Sequence, residues 1–253
     1  CMSPAASNPA MRLGWIDARP ASTWRVNLHA REAGLFTVDK ALVDRLNALD
    51  PSVTLATVAP YKQVGRGDMV ATVKIIPFAV DCALIDEATS LVAGAEIFAV
   101  HPFRAASAGL IQTMLPGLKE SVVAKTTRVM SARLARSGST IGREIRIGHG
   151  AAELAEVLGP LSAAHDMVII FGASALCDFD DVIPCAIRLA GGDVLRAGIP
   201  VDPGNLLVLG RLNGKPVIGA PGCARSPKEN GFDWVLDRLM AGDAPGHDAA
   251  VRA

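Results

Sequence analysis

Five consecutive residues, Met167–Phe171 (MVIIF), are apolar without interruption, and this run constrains the fold more than any other feature. A strand that is apolar at every position is buried on both faces, as in a parallel sheet covered by helices; a half-exposed strand alternates. The surrounding pattern agrees. After Phe103, residues 109–113 read as a short apolar strand, 141–147 as another strand and 151–163 as a helix. Residues 118–136 read as an amphipathic helix with Leu118, Val122, Val129, Met130 and Leu134 on one side and Lys125, Arg128 and Arg136 elsewhere. Beyond the apolar run, a helix over 181–190 ends at Gly191-Gly192, which suits a left-handed C-cap. Strands at 206–209 and 216–220 are joined through Asn213-Gly214, a strong hairpin signal, and a last helix over 230–241 closes at Gly242. The fold class expected is α/β, a mostly parallel sheet with helices on both faces, preceded by a small α+β region.

That region spans 26–105. It contains a helix over 39–49 stopped by Asp50-Pro51, strands at 53–58 and 69–76 about the turn Gly65-Arg66-Gly67-Asp68, a helix over 82–92 and a strand at 96–100. Residues 1–25, rich in Pro, Ser and Ala, read as a flexible arm, and 243–253 as a tail. The division expected is therefore 1–25, 26–105, 106–242 and 243–253.

Composition narrows the function. The chain of 253 residues is 50% hydrophobic and 20% charged, which excludes a disordered protein. Lys+Arg and Asp+Glu both number 25, and aromatic residues make up 4%, so neither the basic field nor the stacking platforms of a general nucleic-acid binder are present. An anionic ligand would have to be held by local groups: glycine loops, helix N-termini and a few cations. Five cysteines (Cys1, Cys82, Cys177, Cys185, Cys223), with no CxxC pair, argue against a disulfide framework or a thiolate zinc site and read as mostly buried thiols. His29, His101, His149, His165 and His247 show no metal spacing and read as ordinary surface or core histidines. No signal-peptide h-region or membrane span is visible, so a cytoplasmic protein is expected.

Ligands of such sheets bind at the carboxyl ends of strands. Three loops qualify. The first, Gly172-Ala173-Ser174-Ala175-Leu176-Cys177-Asp178-Phe179-Asp180-Asp181, follows the buried strand; its small residues allow close backbone approach. Three carboxylates near one helix start exceed the need of an N-cap, and Asp178 and Asp180 are candidate ligands of a hard cation. Gly172 to Ser174 also resembles the start of a nucleophile elbow, but Leu176 stands where that pattern needs glycine, which leaves a Ser174 hydrolase as the weakest alternative. The second loop, Asp202-Pro203-Gly204-Asn205, reads alone as a turn. In the third, Pro221-Gly222-Cys223-Ala224-Arg225-Ser226-Pro227-Lys228, Ser226 is the expected N-cap of the last helix, and Arg225 and Lys228 set two cations beside it. Lys119 could add charge after Pro116-Gly117.

Together and in this order, the loops resemble the molybdopterin-binding domain shared by molybdopterin adenylyltransferase and molybdopterin molybdenumtransferase. The resemblance is closer to a subgroup that precedes a molybdenum cofactor cytidylyltransferase domain. It is carried by Arg25-Val26-Asn27-Leu28, MVATVKIIPFAV at 69–80, Leu115-Pro116-Gly117-Leu118-Lys119 and PGCARSPKENGFDWVLDRL at 221–239, covering roughly residues 25–242. It implies a cytoplasmic homo-oligomer in molybdenum cofactor biosynthesis, with molybdopterin or a related pterin phosphate as ligand. Gly172, Ala173, Ser174, Ala175, Pro203, Gly204, Asn205, Pro221, Gly222, Cys223, Arg225, Ser226, Lys228 and Lys119 would bind it. As a transferase it would use Asp180 and Asp181 as catalytic residues, with Mg²⁺ on Asp178 and Asp180, and ATP. As a non-catalytic carrier or sensor it would hand the pterin to a cytidylyltransferase or a molybdoenzyme. The chain departs from the family at Ala173, at Cys223-Ala224, and around Gln112-Thr113, where the family has an acidic residue.

Overall fold

The computed structural model describes residues 15–20, 24–174 and 178–243. The chain divides into two compact units, Cys1–Pro102 and Phe103–Ala253.

In the first unit, strands β1 (Ile16–Pro20), β2 (Arg25–Ala30) and β3 (Gly34–Val38) precede helix α1 (Lys40–Asn47). Strands β4 (Val53–Thr57), β5 (Gln63–Val64) and β6 (Met69–Ile75), helix α2 (Cys82–Val92) and strand β7 (Phe98–Pro102) follow. They form two antiparallel sheets, β1-β2-β6-β4 and β5-β3-β7. Both helices start under an aspartate cap: Asp39 accepts from the Leu42 N–H at 3.0 Å and Asp81 from the Ala83 N–H at 3.0 Å. Phe36 and Phe98 stack at 6.1 Å in a core that includes Leu28, Leu55 and Val70. Residues 16–20 depart from the arm expected there. They pair with β2 from Ile16↔Ala30 to Pro20↔Val26, and Ile16 is buried.

In the second unit, β8 (Ser107–Met114), α3 (Glu120–Ala135), β9 (Thr140–Gly148), α4 (Ala151–Ala164) and β10 (Met167–Phe171) alternate. Then come α5 (Val182–Leu189), β11 (Asp193–Ala197), β12 (Val208–Leu212), β13 (Lys215–Ala220), a 3-10 turn (Gly222–Arg225) and α6 (Gly231–Met240). The sheet order is β11-β12-β13-β10-β8-β9, parallel from β13 to β9 and antiparallel through β11, β12 and β13. This is the α/β architecture expected, with an antiparallel edge. The hairpin residues Asn213 and Gly214 both take positive φ, 52° and 75°, as a type I′ turn requires.

β10 lies near the sheet centre, and its side chains feed both faces. Ile169 and Phe171 pack with Met130 and Leu134 of α3 and Phe232, Leu236 and Met240 of α6. Val168 and Ile170 pack with Leu154, Leu158 and Leu161 of α4 and Ile183 and Ile187 of α5. Among the described residues, no helix is long and apolar enough to cross a membrane.

The inward stripe of α3 differs from the one expected. It consists of Val123, Thr126, Met130, Arg133 and Leu134, while Val122 and Val129 are half-buried. A buried arginine in an apolar stripe needs partners, and Arg133 has them on α6 and the loop before it. Its guanidinium donates to Asp233 at 2.7 and 3.2 Å and to the carbonyls of Ala224 (2.6 Å), Ser226 (2.8 Å) and Lys228 (3.3 Å). Asp233 also accepts from the Asn230 N–H at 3.0 Å, closing a capping box at the start of α6. That box corrects the expected cap: α6 begins at Gly231 under Asn230, and Ser226 closes the 3-10 turn.

Asp237 sits beside this network, accepting from Arg136 at 3.2 Å. Burial pushes its pKa up to about 6 from the ordinary 3.8; Arg136 opposes that rise, and Asp233 and Glu229 add to it. Because the folded state holds this proton more tightly than the unfolded chain, the stabilisation is complete below pH 3.8 and is lost as pH rises through about 6. Asp237→Asn should therefore gain stability relative to the parent between pH 4 and 7.5, on the order of 2 kcal/mol. Thermal melts across that range would refute this with a parent–variant gap that stays constant.

Candidate functional site

Parallel strands deliver their following loops to one edge of the sheet. At that edge in the second unit, the loops after β9, β10 and β13 surround an open cleft. His149, Gly172, Ser174, Asp181, Pro221 and Gly222 line it, and Val182, Ile183, Leu206 and Val208 supply apolar wall.

A chain of hydrogen bonds crosses the floor. Ser174 Oγ lies 2.7 Å from His149 Nε2, and His149 Nδ1 lies 2.8 Å from Thr113 Oγ1. Thr113, fully buried near the end of β8, also accepts from the Ala173 N–H at 2.8 Å and stands 3.5 Å from the Phe171 carbonyl. Sheet register explains the meeting. Phe171 pairs with Gln112 and Ile147 with Thr113, so the residues just past β9 and β10 flank Thr113.

Arg225 ties the third loop to the first. It donates to the Gly172 carbonyl at 3.0 Å and to Thr126 Oγ1 at 2.7 Å, with its guanidinium 4.9 Å from the Phe171 ring centroid. Desolvation pushes its pKa down from the ordinary value. Beside it, burial pushes the Cys223 thiol up, which favours the neutral form over a thiolate. Cys82, exposed, and Cys185 and Cys223, half-buried, are free thiols, so the expected burial is incomplete.

The structure thus brings together Gly172, Ser174 and Asp181 of the first loop with Pro221 and Gly222 of the third. Ala173 contributes differently from expectation, because its N–H is engaged by Thr113. Ala175, Leu176 and Cys177 lie outside the described residues. Pro203, Gly204 and Asn205 do not line the cleft; the Pro203 carbonyl accepts from the Gly231 N–H at 2.9 Å and the Asn205 carbonyl from the Ile199 N–H at 2.8 Å. Ser226 Oγ accepts from the Lys228 N–H at 3.2 Å, and Lys228 and Lys119 are exposed. Neither Arg225 nor Lys228 sits at the first turn of α6, so the expected pair of cations on a helix N-terminus is not assembled.

The acidic residues do not converge on one point. Asp180 accepts from Arg188 at 2.9 Å, Asp178 from the Asp180 N–H at 3.3 Å, and Asp181 from the Asp178 N–H at 2.9 Å. Among the described residues, no group of three His, Cys, Asp or Glu side chains could hold a metal ion. Asp178 and Asp180, the residues expected to hold Mg²⁺, each have a partner within the chain, the Asp180 N–H and Arg188.

Sequence reasoning missed His149 and Thr113. The available signal was positional: His149-Gly150 directly follows a strand of the parallel sheet, as Gly172 and Pro221 do.

No protein-family model matches the chain. Among solved structures, the protein CinA of unknown function from Thermoplasma acidophilum aligns at TM-score 0.41 with 18% identity, over 56% of this chain and all but 1% of that one, since 99% of it is covered. A molybdopterin biosynthesis MoeA protein from Pyrococcus horikosii aligns at TM-score 0.37 with 16% identity, over 94% of this chain and 73% of that one. Among curated proteins, the chain is similar to a CinA-like protein of Geobacter sulfurreducens, 35% identical over 74 residues, a stretch that is 29% of this chain and 18% of that protein's length.

Proposed function

We propose that the protein binds molybdopterin, or a closely related pterin phosphate, in the biosynthesis of the molybdenum cofactor. One observation carries the reading: two of the three loops that resemble the molybdopterin-binding domain, Gly172–Ser174 in the first and Pro221-Gly222 in the third, meet across one cleft. The phosphate would take the Ser174 hydroxyl and backbone N–H groups of the Gly222 turn. The pterin would lie against Val182, Ile183, Leu206 and Val208.

A carrier that passes the pterin to a cytidylyltransferase or molybdoenzyme accords better with the acidic loop than a transferase does. Asp180 is turned to Arg188, and Asp181 is bonded within its own turn. Pyrophosphate release from Mg-ATP that depends on molybdopterin would overturn the carrier assignment.

Gly222 gives the direct test. A Cβ added there would meet nothing within 4 Å, so Gly222→Val should fold normally while filling the cleft mouth. Titration of the purified protein with molybdopterin should show binding weakened by about tenfold or more, about 1.4 kcal/mol, in this variant. Parent affinity no better than for an unrelated pterin would remove the proposal.

A further inference from the structure

We infer that Ser174 is a nucleophile with His149 as its general base, and that the cleft accepts a small carboxylic ester with an apolar acyl group. The inference stands on the side-chain geometry of the cleft and not on the molybdopterin reading.

Three features of an activated serine coincide here. The nucleophile and base are within hydrogen-bond reach at 2.7 Å. The base is held from behind by a buried group, Thr113 Oγ1, 2.8 Å from its second ring nitrogen. Ser174 is exposed and lines a cleft that has room for an acyl group beside Gly222 and apolar wall at Val182, Ile183, Leu206 and Val208.

Proton bookkeeping at Thr113 sets the working state of the relay. Its oxygen accepts from the Ala173 N–H, and its one proton goes either to the Phe171 carbonyl or to His149 Nδ1. When it goes to Phe171, Nδ1 keeps its own proton and donates to Thr113, and Nε2 presents a lone pair to the Ser174 hydroxyl. Ser174 Oγ then bonds to the ester carbonyl carbon as its proton passes to His149 Nε2. The carbon–oxygen bond to the alcohol breaks, and the alcohol leaves with that proton. Water, deprotonated by the same nitrogen, hydrolyses the acyl-serine to the free acid and restores Ser174.

The arrangement differs from the nucleophile elbow, whose second glycine is replaced by Leu176. What recommends Ser174 is the histidine just past β9, 25 residues earlier in the chain.

A fluorophosphonate probe with intact-mass detection and peptide mapping tests the inference on the full chain, alongside hydrolysis of p-nitrophenyl butyrate. One adduct on Ser174 is expected, absent from Ser174→Ala. In His149→Ala, labelling and hydrolysis should fall by about a hundredfold or more and recover in part with added imidazole. Thr113 is a positioning residue: Thr113→Val should slow labelling and Thr113→Ser restore it. Labelling no faster than in urea-unfolded protein, an adduct that persists in Ser174→Ala, or a parent-like rate in correctly melting His149→Ala would each overturn the inference. Since Ser174 is exposed, Ser174→Ala keeps the test valid even if His149→Ala misfolds. Molybdopterin titration is a separate readout, so a protein that binds the pterin but is never labelled would lose only the nucleophile.

Discussion

Arg133→Ala is expected to destabilise the second unit by about 3–5 kcal/mol, the range for removing one partner of a buried ion pair. The arginine side chain is 5% exposed and the Asp233 side chain 4%. Truncation leaves Asp233 with only Arg136, at 3.2 Å, as an ionic partner, and strips the carbonyls of Ala224, Ser226 and Lys228 of their buried donor. Urea unfolding would measure the loss. A double variant, Arg133→Met with Asp233→Leu, removes both charges and should recover part of it, because apolar replacement of a whole buried pair is often near neutral. Recovery should be incomplete, since the Ala224 and Ser226 carbonyls lose their Arg133 donor and the capping box at Asn230 is broken. A loss below about 1 kcal/mol for Arg133→Ala, the value of an ordinary surface pair, would contradict this account.

Arg133 also marks how far the sequence could be read. The centre of the fold was legible because period and burial agree: MVIIF predicts a doubly covered strand, and β10 feeds α3 and α6 on one face and α4 and α5 on the other. Asn213-Gly214 and Gly191 were legible because caps and turns are local. β1 and β11 were not. Each lies at a sheet edge and owes its order to pairing with the strand that follows it, β2 or β12, rather than to its own alternation. Arg133 looks like any helix charge until α6 is placed against it. Pro227 made Ser226 a reasonable cap, but Arg133 binds the carbonyls of 224, 226 and 228 in a path that leaves the 3-10 turn without starting an α-helix, and Asn230 with Asp233 forms the reciprocal cap.

The candidate site divides in the same way. Gly172, Ser174, Pro221 and Gly222 could be found because glycine-rich loops at strand ends are visible in one dimension. His149 and Thr113 reach Ser174 only through the register of three parallel strands, which no spacing encodes. The acidic run at 178–181 misled for a related reason. A cluster in sequence is not a cluster in space, and these carboxylates are turned to Arg188 and to their own turn's N–H groups.

Gly204→Ala is expected to cost about 2–4 kcal/mol, from a strained backbone and a contact that cannot relax. Gly204 has φ of +130°, and a Cβ there would lie 2.7 Å from the Gly231 nitrogen and 2.8 Å from its Cα. Those atoms open α6, and the Pro203 carbonyl is bonded to that same Gly231 N–H at 2.9 Å, so the clash would push on the helix N-terminus. The melting temperature of the second unit should fall by about 5–15 °C. Gly222→Val provides the opposite case, with open space for its side chain and a position on the cleft. The pair should therefore give crossed results. Gly204→Ala loses stability but, measured well below its melting point, keeps parent affinity for molybdopterin; Gly222→Val keeps the parent melt and loses affinity. If Gly204→Ala instead weakens binding with an unchanged melt, the second loop contacts the ligand directly and its bracing role toward α6 is secondary.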